Sequence, residues 1–421
     1  MDQFHELIVD RIFEKRHAVR DWFALKFKEN SAPFYSSYDV RDSSFKIAPV
    51  DCNLYPAGFN NICSEDLSVA HELLQDWVKV LGDGKPPKKI AILPESHTSN
   101  KFYIENLWTL QDIFVRAGFE TRIAWWTGDE GNPPHSVSLE SVTGKVLEAF
   151  PIKREGNRIL LSDGFEPEWI ILNNDFSSGY PKILDGVQAR IYPSHKLGWH
   201  SRRKSTHFRY YNKYALEFAN LLSIDPWLVS IDSQVVEGID LNEGVGADRA
   251  ADAVGAMIDR LQTEYSKRKI PHSPTVFLKN DHGTYGIGIH VVHSADEVRN
   301  LNRRAKNKLS VGKGKSEVHE ILIQEGIPTQ LVVENLISEP VIYLFGSELI
   351  GGFIRSNTER GDNDNLNSQG MLFKKLCMRD LREAWDAKSK QDFPIHEAIY
   401  GSISLLSCLA AAEEMKELKT I

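Results

Sequence analysis

The stretch Thr275–Val292, TVFLKNDHGTYGIGIHVV, constrains this chain more than any other. An apolar run ending in Lys279 predicts a strand, and a second strand follows Gly283, Gly286 and Gly288 directly. Glycine costs about 0.5–1 kcal/mol relative to alanine in regular structure. Three of them in so short a span make sense where backbone must approach a ligand and offer N–H groups to phosphate oxygens. The bland alternative is a tight hairpin with no ligand. A dinucleotide loop is excluded, because that motif places its glycines between a strand and a helix. The nearby GKGKS at 312–316 is excluded as a phosphate loop, because Leu309 stands where the upstream glycine is required.

A strand, a lysine, a glycine-rich turn and a returning strand resemble the device with which ATP-grasp enzymes cover a triphosphate. Lys279 would then lie along the phosphates, under Gly283, Thr284, Tyr285 and Gly286. The next apolar run, ILIQEG at 321–326, ends in polar residues before a turn, as at the hinge where adenine meets backbone. Gln324, Glu325 and Gly326 are therefore the candidates for the nucleotide edge. Residues 338–370 predict two strands and then a polar stretch holding Arg355, Arg360, Asp362, Asp364, Asn365 and Asn367. Magnesium prefers a few carboxylate or carbonyl oxygens together with phosphate and water. Glu339, Asp364, Asn365 and Asn367 are its candidate ligands, and Arg355 and Arg360 would steady a transferring phosphoryl group. Read alone, such an Asn/Asp-rich stretch is as readily a solvated loop.

The chain has 421 residues, enough for two or three packed units. It holds no run of about 18 apolar residues that could span a bilayer. Its net charge of −8 argues against binding nucleic acid over a broad face. Cys52, Cys63, Cys377 and Cys408 show no Cys-x-x-Cys spacing, so neither a zinc site nor a disulfide framework is expected, and a reducing compartment fits. Phe4, Ile8, Ile12, Val19, Trp22 and Phe23 repeat at helical period near the N-terminus. KKIAILPES (88–96), a helix over Asn100–Gly118, TRIAWW (121–126) and EWIILNND (168–175) read as a parallel α/β unit. Ligands of such sheets sit beyond the carboxyl ends of the strands, where Glu95, His97, Asn173, Asn174 and Asp175 fall. Helices are expected over about 207–222 and 246–268, and Ser294 with Glu297 forms a capping pair. The run from Arg304 to Lys315 reads as a surface connection.

KNDHGTYGIGI, LIQEGIPT, EPVIYL and GGFIR with NLN resemble the proteobacterial-type glutamate-cysteine ligases of the ATP-grasp superfamily. So do FKIAPVDCNLYPAGFNNI (45–62), ILPESHTSNKFYIENL (92–107) and HKLGWHSRRKSTHFRYYNK (195–213), and the likeness runs from about residue 39 to 375. The resemblance implies an α/β ATP-grasp fold and a cytoplasmic enzyme using ATP and Mg2+. ATP would phosphorylate the γ-carboxylate of glutamate, and the cysteine amine would attack the acyl phosphate. It implies small-molecule partners, with no nucleic acid and no membrane. It divides the chain into an amino-acid-binding region (1–195), linker helices with a small lobe (196–335) and a large-lobe ATP/magnesium segment with a C-terminal helix (336–421).

For the amino-acid pocket, Arg41, Lys46, Asp51, Asn53, Asn60 and Asn61 with Asp39 supply the mixed donors and acceptors that a zwitterionic dicarboxylate needs. A polar surface loop would look similar. Glu95, Asn100, Arg202 and Arg203 complete the candidate set, with Glu95 and Asp175 as possible bases for the amine. The run His195–Lys213, with Lys204, His207 and Arg209 among aromatics, also fits a single-stranded nucleic-acid binder. Another carboxylate–amine ligase using a different amine is the remaining alternative. The Glu-x-Asn metal pair usual in related peptide ligases has Asp364-Asn365-Leu366-Asn367 as its nearest counterpart, with Glu339 and Asp362 as alternatives.

Overall fold

The computed structural model describes residues 3–95, 99–128, 135–176, 181–282, 288–310, 320–378 and 381–419. The chain opens with α1 (Gln3–Glu29), β1 (Tyr35–Asp42), β2 (Ile47–Asn53) and α2 (Ser64–Leu81). A parallel unit follows: β3 (Lys89–Pro94), α3 (Lys101–Arg116), β4 (Glu120–Trp125), β5 (Val137–Glu140), β6 (Val146–Glu155), β7 (Arg158–Leu161), β8 (Trp169–Asn173) and β9 (Arg190–Tyr192). Next come α4 (Lys204–Leu222), β10 (Ser233–Glu237), α5 (Ala247–Arg268), β11 (Val276–Asn280), β12 (Ile289–Val292), α6 (Ala295–Arg299), α7 (Arg303–Ser310) and β13 (Glu320–Glu325). The chain ends with β14 (Val332–Val333), β15 (Leu336–Phe345), β16 (Glu348–Asn357), β17 (Met371–Leu376), α8 (Leu381–Asp386) and α9 (Ser402–Glu417).

Three sheets result among the described residues. The first is ordered β5-β6-β4-β3-β8-β9, parallel from β6 to β9, with β5 and β7 antiparallel to β6. The second is antiparallel, β10-β13-β11-β12. The third is antiparallel, β17-β16-β15-β1-β2, with β14 on β15. The N-terminal strands thus complete a sheet with the C-terminal ones, and the sheets do not follow the sequential division 1–195, 196–335 and 336–421.

The third sheet is covered on both faces. Tyr38, Val40, Ile342 and Leu344 pack with α1, α4 and α9. Tyr35, Val341, Tyr343, Phe345 and Phe353 pack with α2, α3 and the parallel sheet. That double cover explains why β1 escaped the sequence reading as a strand. All eight of its residues are buried, so it shows no alternation, and its polar ones sit where the apolar core gives way to a cleft.

Most of the expected elements are present. Ser294 Oγ accepts from Glu297 N as the capping pair requires, and α1 buries Phe4, Ile8, Ile12, Val19 and Phe23. No described helix is long and apolar enough to cross a membrane. The cysteine expectation is corrected: Cys63 and Cys377 form a disulfide across 314 residues, with Cα atoms 5.1 Å apart. Their spacing carried no signal because the pairing depends on the tertiary docking of α2 against β16 and the end of β17; Asp66 of α2 accepts from Met378 N nearby. Residues 304–310 of the expected surface connection are helical, within α7, and its remainder, 311–315, lies outside the described residues.

Candidate active site

A β-bulge in β2 organises the cleft. Asp39 pairs with Asp51 and Val40 with Pro49, which leaves Val50 as the extra residue. Three consecutive residues of the bulge then hold three cations. Val50 O accepts from Lys279 Nζ at 3.0 Å. The Asp51 carboxylate pairs with Lys204. Cys52 O accepts from Arg202 Nη1 at 3.2 Å. Lys279, buried at the end of β11, is pushed down to about 7 by burial and by the neighbouring Lys204, against the pull of Asp51. Burial opposes the charge of Asp51, yet Lys204 and Lys279 hold its carboxyl below the usual range.

Opposite the lysines lies a charged row on the third sheet. Glu339, Arg355 and Phe373 are directly cross-strand, so they share one face. Arg355 Nη1 lies 2.5 Å from Asp39 Oδ2 and 2.8 Å from Glu339 Oε1. Arg41 Nε lies 2.6 Å from the other Glu339 oxygen. Arg41 also donates to the carbonyls of Asp362 at 3.0 Å and Asp364 at 2.7 Å, and so fixes the polar stretch after β16 to the sheet.

The end of β13 closes a third side. Glu325 is fully buried and accepts from Lys46 Nζ at 2.7 and 2.8 Å. Burial pulls Lys46 below the ordinary lysine range, against the attraction of Glu325. Gln324 stands cross-strand from Phe277 and is completely buried. Neither atom of its amide has a hydrogen-bond partner among the described residues. A buried amide left unpaired costs about 1–3 kcal/mol, so a partner from outside the protein is the economical account. At Gly326 an added Cβ would stand 2.2 Å from Thr275 Oγ1 and 2.9 Å from Thr275 O, so backbone crosses there with no room for a side chain.

These walls enclose one cleft, lined by Asp39, Arg41, Asp51, Lys204, Lys279, Glu325, Glu339, Asn365 and Asn367 with the apolar Val50, Phe277, Ile289 and Ile327. A second cavity shares Ile289 and Asn365 with it and carries His290, His293, Arg360, Asp362 and Asp364. Asp364 Oδ2 accepts from Gly361 N at 2.9 Å, and Arg360 Nε donates to Ser368 Oγ at 3.1 Å.

Seven of the sequence-derived candidates therefore line the cleft: Arg41, Asp51, Lys279, Glu325, Glu339, Asn365 and Asn367. Arg355 stands beside them through Asp39 and Glu339, and Arg360 and Asp364 line the adjoining cavity. Lys46 lies behind Glu325. Asn53 ends β2, and Asn60 and Asn61 sit on a short 3-10 turn held by Asn106 Oδ1, which accepts from Gly58 N and Phe59 N. Glu95 is buried at the end of β3, where its N–H donates to Tyr103 Oη at 3.0 Å. Three more candidates are engaged by protein partners. Asn100 caps α3 by accepting from Tyr103 N. Arg202 is buried away from the cleft lining and engages Glu414. Arg203 turns back on the carbonyls of Ser201 and Arg202, 3.4 Å from Glu320. Gly283, Thr284, Tyr285, Gly286 and His97 lie outside the described residues.

The basic aromatic run is largely matched by acids of α9. Arg202 and His207 meet Glu414, Arg209 meets Glu417, and Lys213 meets Glu413. The sequence reading passed over Phe277, Ile289 and Ile327, the apolar lining. Phe277 stands two residues before Lys279 on one strand, so strand periodicity places both on one face.

The family model for glutamate-cysteine ligase matches residues 9–415. A solved structure of a provisionally named gamma-glutamylcysteine synthetase from Methylobacillus flagellatus KT is 35% identical, covers 97% of this chain and 95% of its own, and superposes with a TM-score of 0.87. A D-alanyl-alanine synthetase A from Vibrio cholerae O1 biovar eltor shares 11% identity over 79% of this chain and 81% of its own, with a TM-score of 0.29, too weak a likeness to bear on the argument. No curated protein sequence matches the chain. With nearly its whole length matched in sequence and in fold, the chain belongs to the glutamate-cysteine ligase family.

Proposed function

We propose that the cleft binds ATP and glutamate together, transfers the γ-phosphoryl group to the glutamate γ-carboxylate, and then admits the amine of cysteine. In the first step a carboxylate oxygen bonds to phosphorus and ADP leaves. In the second the amine nitrogen bonds to the acyl carbon, phosphate leaves and the ammonium proton is lost, giving γ-glutamylcysteine. The reading extends the family's activity to an ATP-grasp arrangement, in which β10–β13 and β15–β17 face each other across the nucleotide.

The observation that carries it is the placement of Lys279. It is a buried lysine on a bulge carbonyl, its charge disfavoured by burial, facing a carboxylate–arginine row across a narrow cleft. A polyphosphate supplies further counter-charge to Lys279 and Lys204, which share Asp51. Gln324, Glu325 and Gly326 offer polar atoms and backbone to a purine edge, with Phe277, Ile289 and Ile327 as its apolar bed. Arg355 and Arg360 would hold charge that develops during transfer; such preorganised donors typically contribute about 10²–10³-fold in rate.

The cleft also suits magnesium by the chemistry of its donors. No three acidic, histidine or cysteine ligand atoms of the cleft lie within 4.8 Å of one another among the described residues. Glu339, with Asp39 and the amide oxygens of Asn365 and Asn367, supplies a few hard oxygens. That suits a cation that keeps water and phosphate for the remainder of its shell. When bound, the metal would neutralise phosphate charge. Glu339 and Asp39 are held in place for it by Arg355 and Arg41.

Lys279→Met is expected to lower ADP formation about 10²-fold or more while the protein stays folded by circular dichroism. Unchanged turnover in that variant would remove the lysine from the proposal.

A further inference from the structure

Behind the cleft, and touching none of its cavity, lies a fully buried cluster built on the last helix. Arg202 donates to Glu414 through Nε at 2.9 Å and Nη2 at 3.2 Å. His207 Nδ1 stands 2.5 Å from Glu414, and its Nε2 stands 2.8 Å from Ser407 Oγ. Burial works against the charge of His207, but Cys52 and Glu414 raise it to about 9. Against burial, Arg202 and His207 hold Glu414 down at about 2. Glu414 is thus the carboxylate that both Arg202 and His207 meet. The third contact of Arg202, to Cys52 O, ends on the bulge whose neighbouring residues hold Lys204 and Lys279. Arg202 also lies two residues before Lys204 and stacks 4.6 Å over Trp199, whose ring faces Lys204 at 4.5 Å.

We propose that Glu414 is a positioning residue: through Arg202 it clamps the Val50–Cys52 bulge to α9 and so sets the two cleft lysines. The inference rests on the nucleotide reading of the cleft. The clamp acts on backbone, and its effect arrives at Lys279 by two routes, the Val50 carbonyl and the Asp51 carboxylate. Lys279 is also exposed to the charges of Lys204, Arg41 and Asp39. A slackened bulge weakens its acceptor and its counter-charge together, and misplacement of about 1 Å in such a site can cost about 10²-fold in rate.

The test is the Glu414→Gln enzyme, assayed for ADP formation with glutamate, cysteine and ATP across pH 5.5–9. Its melting temperature is measured alongside. The expected result is a folded protein whose kcat falls about tenfold, with the pH midpoint of kcat/KM for ATP moved down by about half a unit or more. A variant that melts earlier but keeps the wild-type midpoint and kcat would reduce Glu414 to a merely structural role and overturn the proposal. Should Glu414→Gln not fold, Ser407→Ala decides. It removes only the outer support of His207 and is expected to shift the midpoint in the same direction by less; an unshifted midpoint there overturns the proposal. Lys279→Met separates the two levels of the argument. If it leaves ATP use intact, the nucleotide reading has failed, whatever Glu414 does.

Discussion

Lys279 can be tested through stability as well as through activity. Its ammonium is drawn from 10.5 down to about 7 in the folded protein. At 1.36 kcal/mol per unit, that difference of about 3.5 units corresponds to about 5 kcal/mol of differential interaction, an order-of-magnitude figure. The direction follows from proton counting. Below about pH 7 the lysine is charged in both folded and unfolded chains, and the folded state bears the full cost of burying it. Between about 7 and 10.5 the folded chain has lost the proton and the unfolded chain keeps it, so stability rises with pH. Above 10.5 both are neutral and the cost is gone. Lys279→Met keeps the stem and deletes the charge. It should therefore be more stable than the wild type at pH 6, by about 1–4 kcal/mol once relaxation is allowed for. The gap should narrow as pH rises through 7 towards 9. Urea unfolding at pH 6, 7, 8 and 9 measures the gap directly. Calorimetry of ATP binding with Mg2+ in two buffers of different ionisation enthalpy should show the wild type taking up about half a proton at pH 7, and the variant none. A constant stability difference between the two proteins at every pH would refute the assignment of a charge-bearing, desolvated lysine.

Other residues give independent checks. Glu325→Gln leaves Lys46 buried without its counter-charge and should destabilise the protein by about 3–5 kcal/mol in urea unfolding; a change below 1 kcal/mol would mean the pair is not the buried one described. Glu339→Gln removes one of the few hard oxygens of the cleft and should raise the Mg2+ concentration needed for half-maximal ADP formation severalfold, and an unchanged requirement would move the ligand role elsewhere. Cys63→Ser opens a disulfide that closes 314 residues and should cost about 2–4 kcal/mol under oxidising conditions, and nothing once the wild type is reduced. Gly326→Ala would bring a Cβ against Thr275 backbone and should weaken ATP binding and stability together.

The sequence made some of this arrangement legible and concealed the rest for physical reasons. The α/β unit at 89–173 showed in its apolar runs, and Lys279, Gln324–Gly326 and Asn365–Asn367 stood out because glycine and polar residues interrupt strands only at some cost. The partnership of β1 and β2 with β15 did not show, because strands buried on both faces have no period and antiparallel partners some 300 residues apart leave no local trace. The disulfide was hidden for the same reason. The pairing of Arg202 with Glu414 did not show, because a basic residue among aromatics looks the same from sequence whether it faces phosphate or a buried glutamate. Glu414 lies near the end of the helix α9, beside Glu413 and Glu417, where a carboxylate reads as solvated and gives no hint of a partner 212 residues away.

The most direct test of the central claim is phosphate release from ATP with Mg2+, glutamate and cysteine, omitting each in turn. The account predicts release only when all are present, with γ-glutamylcysteine formed in equal amount, and about 10²-fold less from Lys279→Met. Release that proceeds without glutamate, or wild-type release from Lys279→Met, would contradict it.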